Sequence, residues 1–277
     1  MFCMSPKTNL CPKIRGTQGK GVMPDGTTRF ADAVDGTPYH HFMGCSTFAE
    51  YTVVPEIAVA KIDKAADLAT VCMLGCGVTT GIGAVRNTTA VEEGASVAVF
   101  GLGAIGIAVI QAAKAAGARR IFAIDVNPDK FALAEAVGAT DCLDPAQFEE
   151  PMQSVLVKQT QWGVDYTYDC TGNVGVMRSA LEAAHRGWGV SCVIGVAAAG
   201  QEISTRPFQL VTGRKWVGTA FGGVKSRDGV PLLVDEYRSG GLPLDHFVSE
   251  RYQGLASIPK AIESMHGGKV LRAVVSY

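Results

Sequence analysis

Ser96-Val97-Ala98-Val99-Phe100-Gly101-Leu102-Gly103-Ala104-Ile105-Gly106 is the stretch on which the fold turns. Its first five residues form a short apolar run suited to a strand buried on both faces. Gly101, Gly103 and Gly106 then fit G-x-G-x-x-G at the mouth of a helix. Ile105, Val109, Ala112 and Ala116 recur along one helical face, and Gly117 closes it. In such a loop the first glycine allows the tight turn and the second lets a pyrophosphate approach the backbone. The third lets helix and strand pack closely. The phosphates then sit on free N–H groups at the helix N-terminus. Glycines open many strand-to-helix turns, so the pattern alone is a weak signal, and packing glycines are the rival reading. Asp125 strengthens it, nineteen residues after Gly106 and ending the next predicted strand, Arg120 to Asp125. An acid there accepts hydrogen bonds from an adenosine ribose. Its charge repels a 2′-phosphate, which favours NAD over NADP.

On the C-terminal side the alternation continues. Lys130 to Val137 reads as helix, Val164 to Tyr168 as strand, Val174 to Ala184 as helix and Val190 to Val196 as strand. That spacing argues for βαβ units and a parallel sheet. The front is different, rich in turn signals such as Pro24-Asp25-Gly26-Thr27 and Asp35-Gly36-Thr37-Pro38. Phe48 to Ile62 is dense in β-branched and aromatic residues and reads as strand, with Pro55 marking an edge or a break. Ala66 to Leu74 reads as a short helix stopped by Gly75-Cys76-Gly77. Toward the end, Ile258 to His266 looks helical and Val270 to Val275 strand-like. The expected division is therefore 1–78 for a β-rich domain, 79–219 for a dinucleotide-binding domain inserted in it, and 220–277 for the return of the chain.

The 277 residues are 47% hydrophobic and 18% charged, a globular profile that excludes a disordered chain. Lys plus Arg is 25 against 26 Asp plus Glu. With no clustered basic run, this balance gives no footprint for nucleic acid or an anionic membrane. No apolar run reaches the roughly 18 residues of a membrane span, and Met1 to Lys7 is not a secretory signal. The reading is a cytoplasmic, reduced protein. Its eight cysteines are then mostly small buried hydrophobes, with a minority as metal ligands. Cys76, between two glycines at the expected domain junction, could bind zinc or be structural. Cys3 and Cys11 alone cannot fill a tetrahedral structural zinc site, which takes four ligands, so on local evidence they are half of something. His40-His41 reads as a packed or capping pair.

Ser5 to Cys11, Ser46 to Val54, Leu74 to Val78 and Val99 to Gly103 resemble the zinc-containing medium-chain alcohol dehydrogenases. Thr205 to Gly223 narrows the resemblance to class III, the S-(hydroxymethyl)glutathione dehydrogenases, which also reduce S-nitrosoglutathione. It covers essentially the whole chain. It implies a Rossmann doubly wound parallel sheet inserted in a β-rich, GroES-like catalytic domain, with NAD and zinc as cofactors. By position in the family motifs, Cys76 is a ligand of the catalytic zinc, and Cys3 and Cys11 are ligands of the structural zinc. Gly101, Leu102, Gly103, Ile105 and Gly106 belong to the coenzyme loop, with Asp125 and Lys130 at the adenosine ribose. Thr80 and Ile105 lie near the nicotinamide, Arg272 contacts the pyrophosphate, and Arg15 holds a carboxylate of the glutathione adduct of formaldehyde. Family members carry a long segment ahead of Cys3, with the other zinc ligands and the proton relay. This implies that the N-terminal part of the catalytic domain is missing here. The function the resemblance implies is zinc- and NAD-dependent oxidation of S-(hydroxymethyl)glutathione to S-formylglutathione. The alternatives are an inactive NAD-binding or dimerising fragment, as expected of a chain lacking those ligands, and a medium-chain enzyme of another alcohol. Association through the coenzyme domain, around Val190 to Val196 and Gln201 to Ser204, is also implied.

Overall fold

The computed structural model describes residues 2–268 and 270–277, the Cys3 side chain excepted. Two units emerge, one from the residues up to Cys72 with Lys225–Tyr277, the other from Met73–Val224. The first unit begins with α1 (Pro12–Gln18), which has Pro12 in its first turn, where a missing N–H costs nothing. β1 (Phe30–Ala31) and β2 (Pro38–Tyr39) pair antiparallel around a turn that Asp32 ties, accepting from Val34 N at 2.8 Å and Tyr39 Oη at 2.7 Å. His41 is buried and packed, its Nε2 accepting from Arg29 N at 3.0 Å, whereas His40 is exposed, with its Nδ1 3.0 Å from Lys20 O.

Two expectations fail in this front part. Phe48 to Ile62 forms no strand, only an extended path and a 3-10 turn at Glu56–Ala58. A strand needs a neighbour for its backbone groups, and none of the described strands pairs with this segment. Phe48, Tyr51, Val53 and Ile57 stay exposed accordingly. The helix expected over Ala66 to Leu74 shrinks to α2 (Leu68–Val71), capped by the Asp67 carboxylate, and continues as a 3-10 turn through Gly75. Gly75-Cys76-Gly77 breaks rather than stops it: Cys76 takes a non-helical φ −153°, ψ −80°, and α3 (Gly77–Gly83) starts at once.

The second unit is a doubly wound sheet. β3 (Ser96–Phe100), β4 (Arg120–Ile124), β5 (Asp141–Leu143), β6 (Tyr166–Asp169), β7 (Val190–Val193) and β8 (Lys215–Gly218) are all parallel, in the order β5-β4-β3-β6-β7-β8. Between them run α4 (Ala104–Ala115), α5 (Phe131–Val137), α6 (Met152–Thr160), α7 (Val174–Ala183) and the short α8 (Pro207–Val211). One core fills the side of α6 and α7, where Phe100, Phe122, Ile124, Leu143 and Leu156 meet Ala180 and Ala183. α4 is buried well beyond the expected stripe, since Ile107, Ala108 and Ile110 are closed off as well as Val109 and Ala112. The extra cover is α3, which comes so close that a Cβ on Gly81 would stand 2.6 Å from the Ala108 Cβ. Gly83 is pressed likewise against Gly222, in the left-handed turn Phe221–Gly223.

An ion pair fastens the β5 edge. Arg120 donates to Asp141 from Nε at 3.0 Å and from Nη2 at 2.8 Å, and its guanidinium lies 4.3 Å over the Phe122 ring. These donors, with the Thr140 hydroxyl, hold the Asp141 carboxyl below its ordinary value against the opposing effect of burial. A depressed carboxyl stabilises the fold above its unfolded pKa of about 3.9 and loses that contribution as pH falls through the folded value. Asp141→Asn is therefore expected to cost about 1 kcal/mol at neutral pH. The gap to the unaltered protein should close as urea midpoints are taken below about pH 4. A gap that stays constant into acid would contradict the ion pair.

The chain returns to the first unit with α9 (Ser226–Arg238), β9 (Glu250–Gln253), α10 (Ile258–His266) and β10 (Ala273–Ser276). β9 and β10 pair in parallel. No single helix among the described residues is long and apolar enough to cross a membrane.

Candidate functional site

The strand order reverses beside β3, whose neighbours β4 and β6 lead to opposite edges of the sheet. The carboxyl ends of strands at such a switch point open a crevice where ligands bind. The glycine loop is built there. Gly101 has φ +92°, a conformation that other residues rarely adopt, and its amide donates to Ile124 O at 2.8 Å. A Cβ on Gly106 would lie 1.9 Å from Gly101 O, so only glycine lets α4 start against the loop. Gly103 differs, because a Cβ there meets nothing within 4 Å. It stands at the N-cap of α4 and brings no side chain to the first-turn N–H groups. That combination of open space and uncapped N–H donors is what a pyrophosphate needs. The residues therefore fit a dinucleotide.

Asp125 closes the loop from the end of β4 and is 8% exposed. Its Oδ2 accepts from Leu102 N at 2.7 Å and from Lys130 Nζ at 2.9 Å, and its Oδ1 accepts from Asn127 N at 2.9 Å. Oδ1 thus keeps a lone pair for a further donor, such as a ribose hydroxyl. Beside it opens a cavity of about 210 Å³, lined by Phe100, Ile124, Val126, Met152, Thr171 and Ser179 among others. Gly101, Leu102, Asp125 and Lys130 are thus brought together, with Ile105 and Gly106 in the first turn of α4.

Thr171, Ser179 and the residue that fixes Thr171 are absent from the sequence reading. Asp169, fully buried at the end of β6, accepts from Thr171 N at 3.2 Å, Thr171 Oγ1 at 2.6 Å and Gly172 N at 3.3 Å. The available signal was the second strand-to-helix turn, Asp169-Cys170-Thr171-Gly172-Asn173, in which Asn173 caps α7 by accepting from Gly175 N at 2.8 Å. Cys170 lies inside this turn, and burial pushes its thiol well up, with Asp169 and Cys192 nearby. A thiol held neutral in this way is a poor ligand and a poor nucleophile.

Elsewhere in the same unit, Cys76 is exposed at the corner before α3. Thr80 is buried one turn on, and its hydroxyl donates to Cys76 O at 2.9 Å. Arg15, Cys11 and Arg272 belong to the other unit. Arg15 is exposed on α1, Cys11 is the half-buried N-cap of that helix, and Arg272 O accepts from Ser249 N at 2.9 Å. The Cys3 side chain lies outside the described residues. Among the described residues no three His, Cys, Asp or Glu side chains come together as a metal site. The described donors do not by themselves assemble a zinc site.

Known proteins share this sequence family and fold. Residues 104–237 match the family described as zinc-binding dehydrogenase. An S-(hydroxymethyl)glutathione dehydrogenase of Photobacterium damsela subsp. piscicida is 61% identical over 276 residues, covering 100% of this chain and 74% of its own length. One from Synechocystis is 60% identical with the same coverage. Among solved structures, an alcohol dehydrogenase zinc-binding domain protein from Burkholderia ambifaria superposes with a TM-score of 0.88 at 31% identity, over 98% of this chain and 72% of its own. A benzyl alcohol dehydrogenase from Acinetobacter calcoaceticus shares the fold, with a TM-score of 0.81 at 24% identity over 96% of this chain and 74% of its own. With a dinucleotide loop of this geometry and relatives this similar along its entire length, the chain belongs to the S-(hydroxymethyl)glutathione dehydrogenases, oxidoreductases of the alcohol dehydrogenase type whose cofactors are NAD and zinc.

Proposed function

We propose that this protein oxidises S-(hydroxymethyl)glutathione, the adduct of formaldehyde and glutathione, to S-formylglutathione with NAD, and reduces S-nitrosoglutathione at the same site. The observation that carries the coenzyme half is the Asp125 carboxylate, held against the glycine loop by Leu102 N and Lys130. The substrate half is supported by the names of relatives 58–61% identical across the chain. Those relatives do not favour the reading as a non-enzymatic fragment.

NAD would supply the hydride acceptor for the carbinol carbon, the hydroxyl proton being released to solvent. The chain's own residues supply the binding. Asp125 accepts from the ribose, Lys130 holds that carboxylate in place, and the first N–H groups of α4 face the pyrophosphate. Gly101, Leu102, Gly103, Ile105 and Gly106 are proposed as the coenzyme loop, with Thr80 and Ile105 near the nicotinamide and Arg272 as a second pyrophosphate contact. Arg15 is the proposed partner of a glutathione carboxylate, a task suited to a guanidinium fork. Cys76 is proposed as a ligand of the catalytic zinc, and Cys3 and Cys11 as ligands of the structural zinc. No catalytic step is assigned to a metal on these residues. We also place the protein in the cytoplasm. We propose that a second copy pairs through the coenzyme-binding unit, around Val190 to Val196 and Gln201 to Ser204.

NAD reduction followed with formaldehyde, glutathione and both together tests this directly, and turnover is expected only with both. Arg15→Ala should raise the KM for the adduct about tenfold, the worth of one charge-assisted pair, and spare a long-chain alcohol. Equal losses on the two substrates would remove Arg15 from the site.

A further inference from the structure

Two hydroxyls, Thr171 and Ser179, face the cavity beside the glycine loop, whose other walls are mainly apolar. The polarity of each is settled by what stands behind it. Thr171 spends its proton on Asp169 Oδ1 at 2.6 Å. Behind Ser179 the chain of bonds begins at Glu182, a carboxylate that can only accept. Its Oε1 takes Arg178 Nε at 2.9 Å, and its Oε2 faces Gln153 Nε2 at 3.5 Å. The Gln153 amide is thereby oriented with its oxygen toward Ser179, and the Ser179 hydroxyl donates to it at 2.7 Å. Ser179 is left with lone pairs and no proton for the cavity. Asp125, on the same wall, is also an acceptor.

We infer that Ser179 reads the base of the coenzyme, selecting a 6-amino purine over a 6-oxo purine. The inference rests on the dinucleotide reading given above. Adenine joined to ribose has only its 6-amino group to donate, and a wall that accepts but does not donate rewards that group. Hypoxanthine sets a carbonyl oxygen at the same position, lone pair against lone pair, and its own donor, N1–H, lies one ring position away, so the base must shift before it can pair. A site built to pair one polar group discriminates against an analogue that cannot complete the pairing.

Titration calorimetry with NAD and with nicotinamide hypoxanthine dinucleotide tests this without turnover. NAD is expected to bind about fivefold to tenfold more tightly. Ser179→Ala should bring the ratio of the two dissociation constants close to one. Gln153→Met, which frees the Ser179 proton, should also lower the ratio, chiefly by improving binding of the hypoxanthine compound. Circular dichroism on both variants confirms the fold. Equal affinities in the unaltered protein, or a ratio that neither variant changes, would overturn the role of Ser179. If neither dinucleotide binds, the dinucleotide reading fails and this inference falls with it, an outcome distinct from equal binding.

Discussion

Gly106→Ala is expected to lower the unfolding free energy of this protein by about 2–3 kcal/mol, the range seen when a group is forced into a packed interior. The same exchange at Gly103 should cost only about 1 kcal/mol, the exchange of a good N-cap residue for a poor one, because the added methyl meets nothing. The contrast comes from the surroundings. A Cβ at Gly106 lands 1.9 Å from Gly101 O, a backbone atom that cannot swing aside, whereas a Cβ at Gly103 meets nothing. Binding should show a different order. Gly103→Ala puts a methyl into the space proposed for the pyrophosphate, so it should weaken NADH more than tenfold while costing less stability than Gly106→Ala. Gly106→Ala should weaken NADH only as far as the loop shifts to admit its methyl. Urea midpoints paired with NADH fluorescence titrations separate the two effects. Full NADH affinity in Gly103→Ala would show that the phosphates do not lie on this loop.

Asp125→Asn has the second large effect, and it falls on selectivity. The near-isosteric amide oxygen can still accept from Leu102 N, so the loop should persist. What disappears is the charge that repels a 2′-phosphate, while the Lys130 ammonium, now 2.9 Å from a neutral group, becomes available to that phosphate. NADH should bind about tenfold more weakly and NADPH about tenfold more tightly, a combined shift on the order of 100-fold in their ratio. Fluorescence titration with each reduced coenzyme reads it directly. A ratio unmoved by the exchange would place the ribose away from Asp125.

Where local pattern and tertiary packing agree, the sequence is legible. β3, the loop and α4 are found by the glycine spacing, and β4 by the apolar run that ends at Asp125. β8 escapes because Lys215-Trp216-Val217-Gly218 is a short edge strand with no alternation to betray it. α9 is masked by Gly229 and Pro231, both inside the helix. α3 is hidden for the opposite reason. Thr79, Thr80, Gly81 and Gly83 are poor helix formers, and the helix exists because its glycines admit α4 on one side and Gly222 on the other. The Phe48 to Ile62 reading shows the reverse error, since strand-forming residues make no strand without a partner. In the site, Gly101, Gly106 and Asp125 are legible because backbone geometry demands those residue types. Asp169 and Ser179 carry no motif, and their roles arise from what folding places behind them.

The order in which the sheet is threaded bears on how the protein is made. β4 joins β3, β5 joins β4, β6 returns to β3, and β7 and β8 follow outward. Each strand after the first therefore pairs with one that has already been synthesised. A chain emerging from the ribosome at about 5–20 residues per second can seat each new strand on one already made, although β3 keeps one edge open until β6 is translated. The coenzyme sheet is laid down in the direction of translation, from its centre first to one edge and then to the other. The glycine loop, being attached to that first strand, is among the earliest parts of the site to have its scaffold.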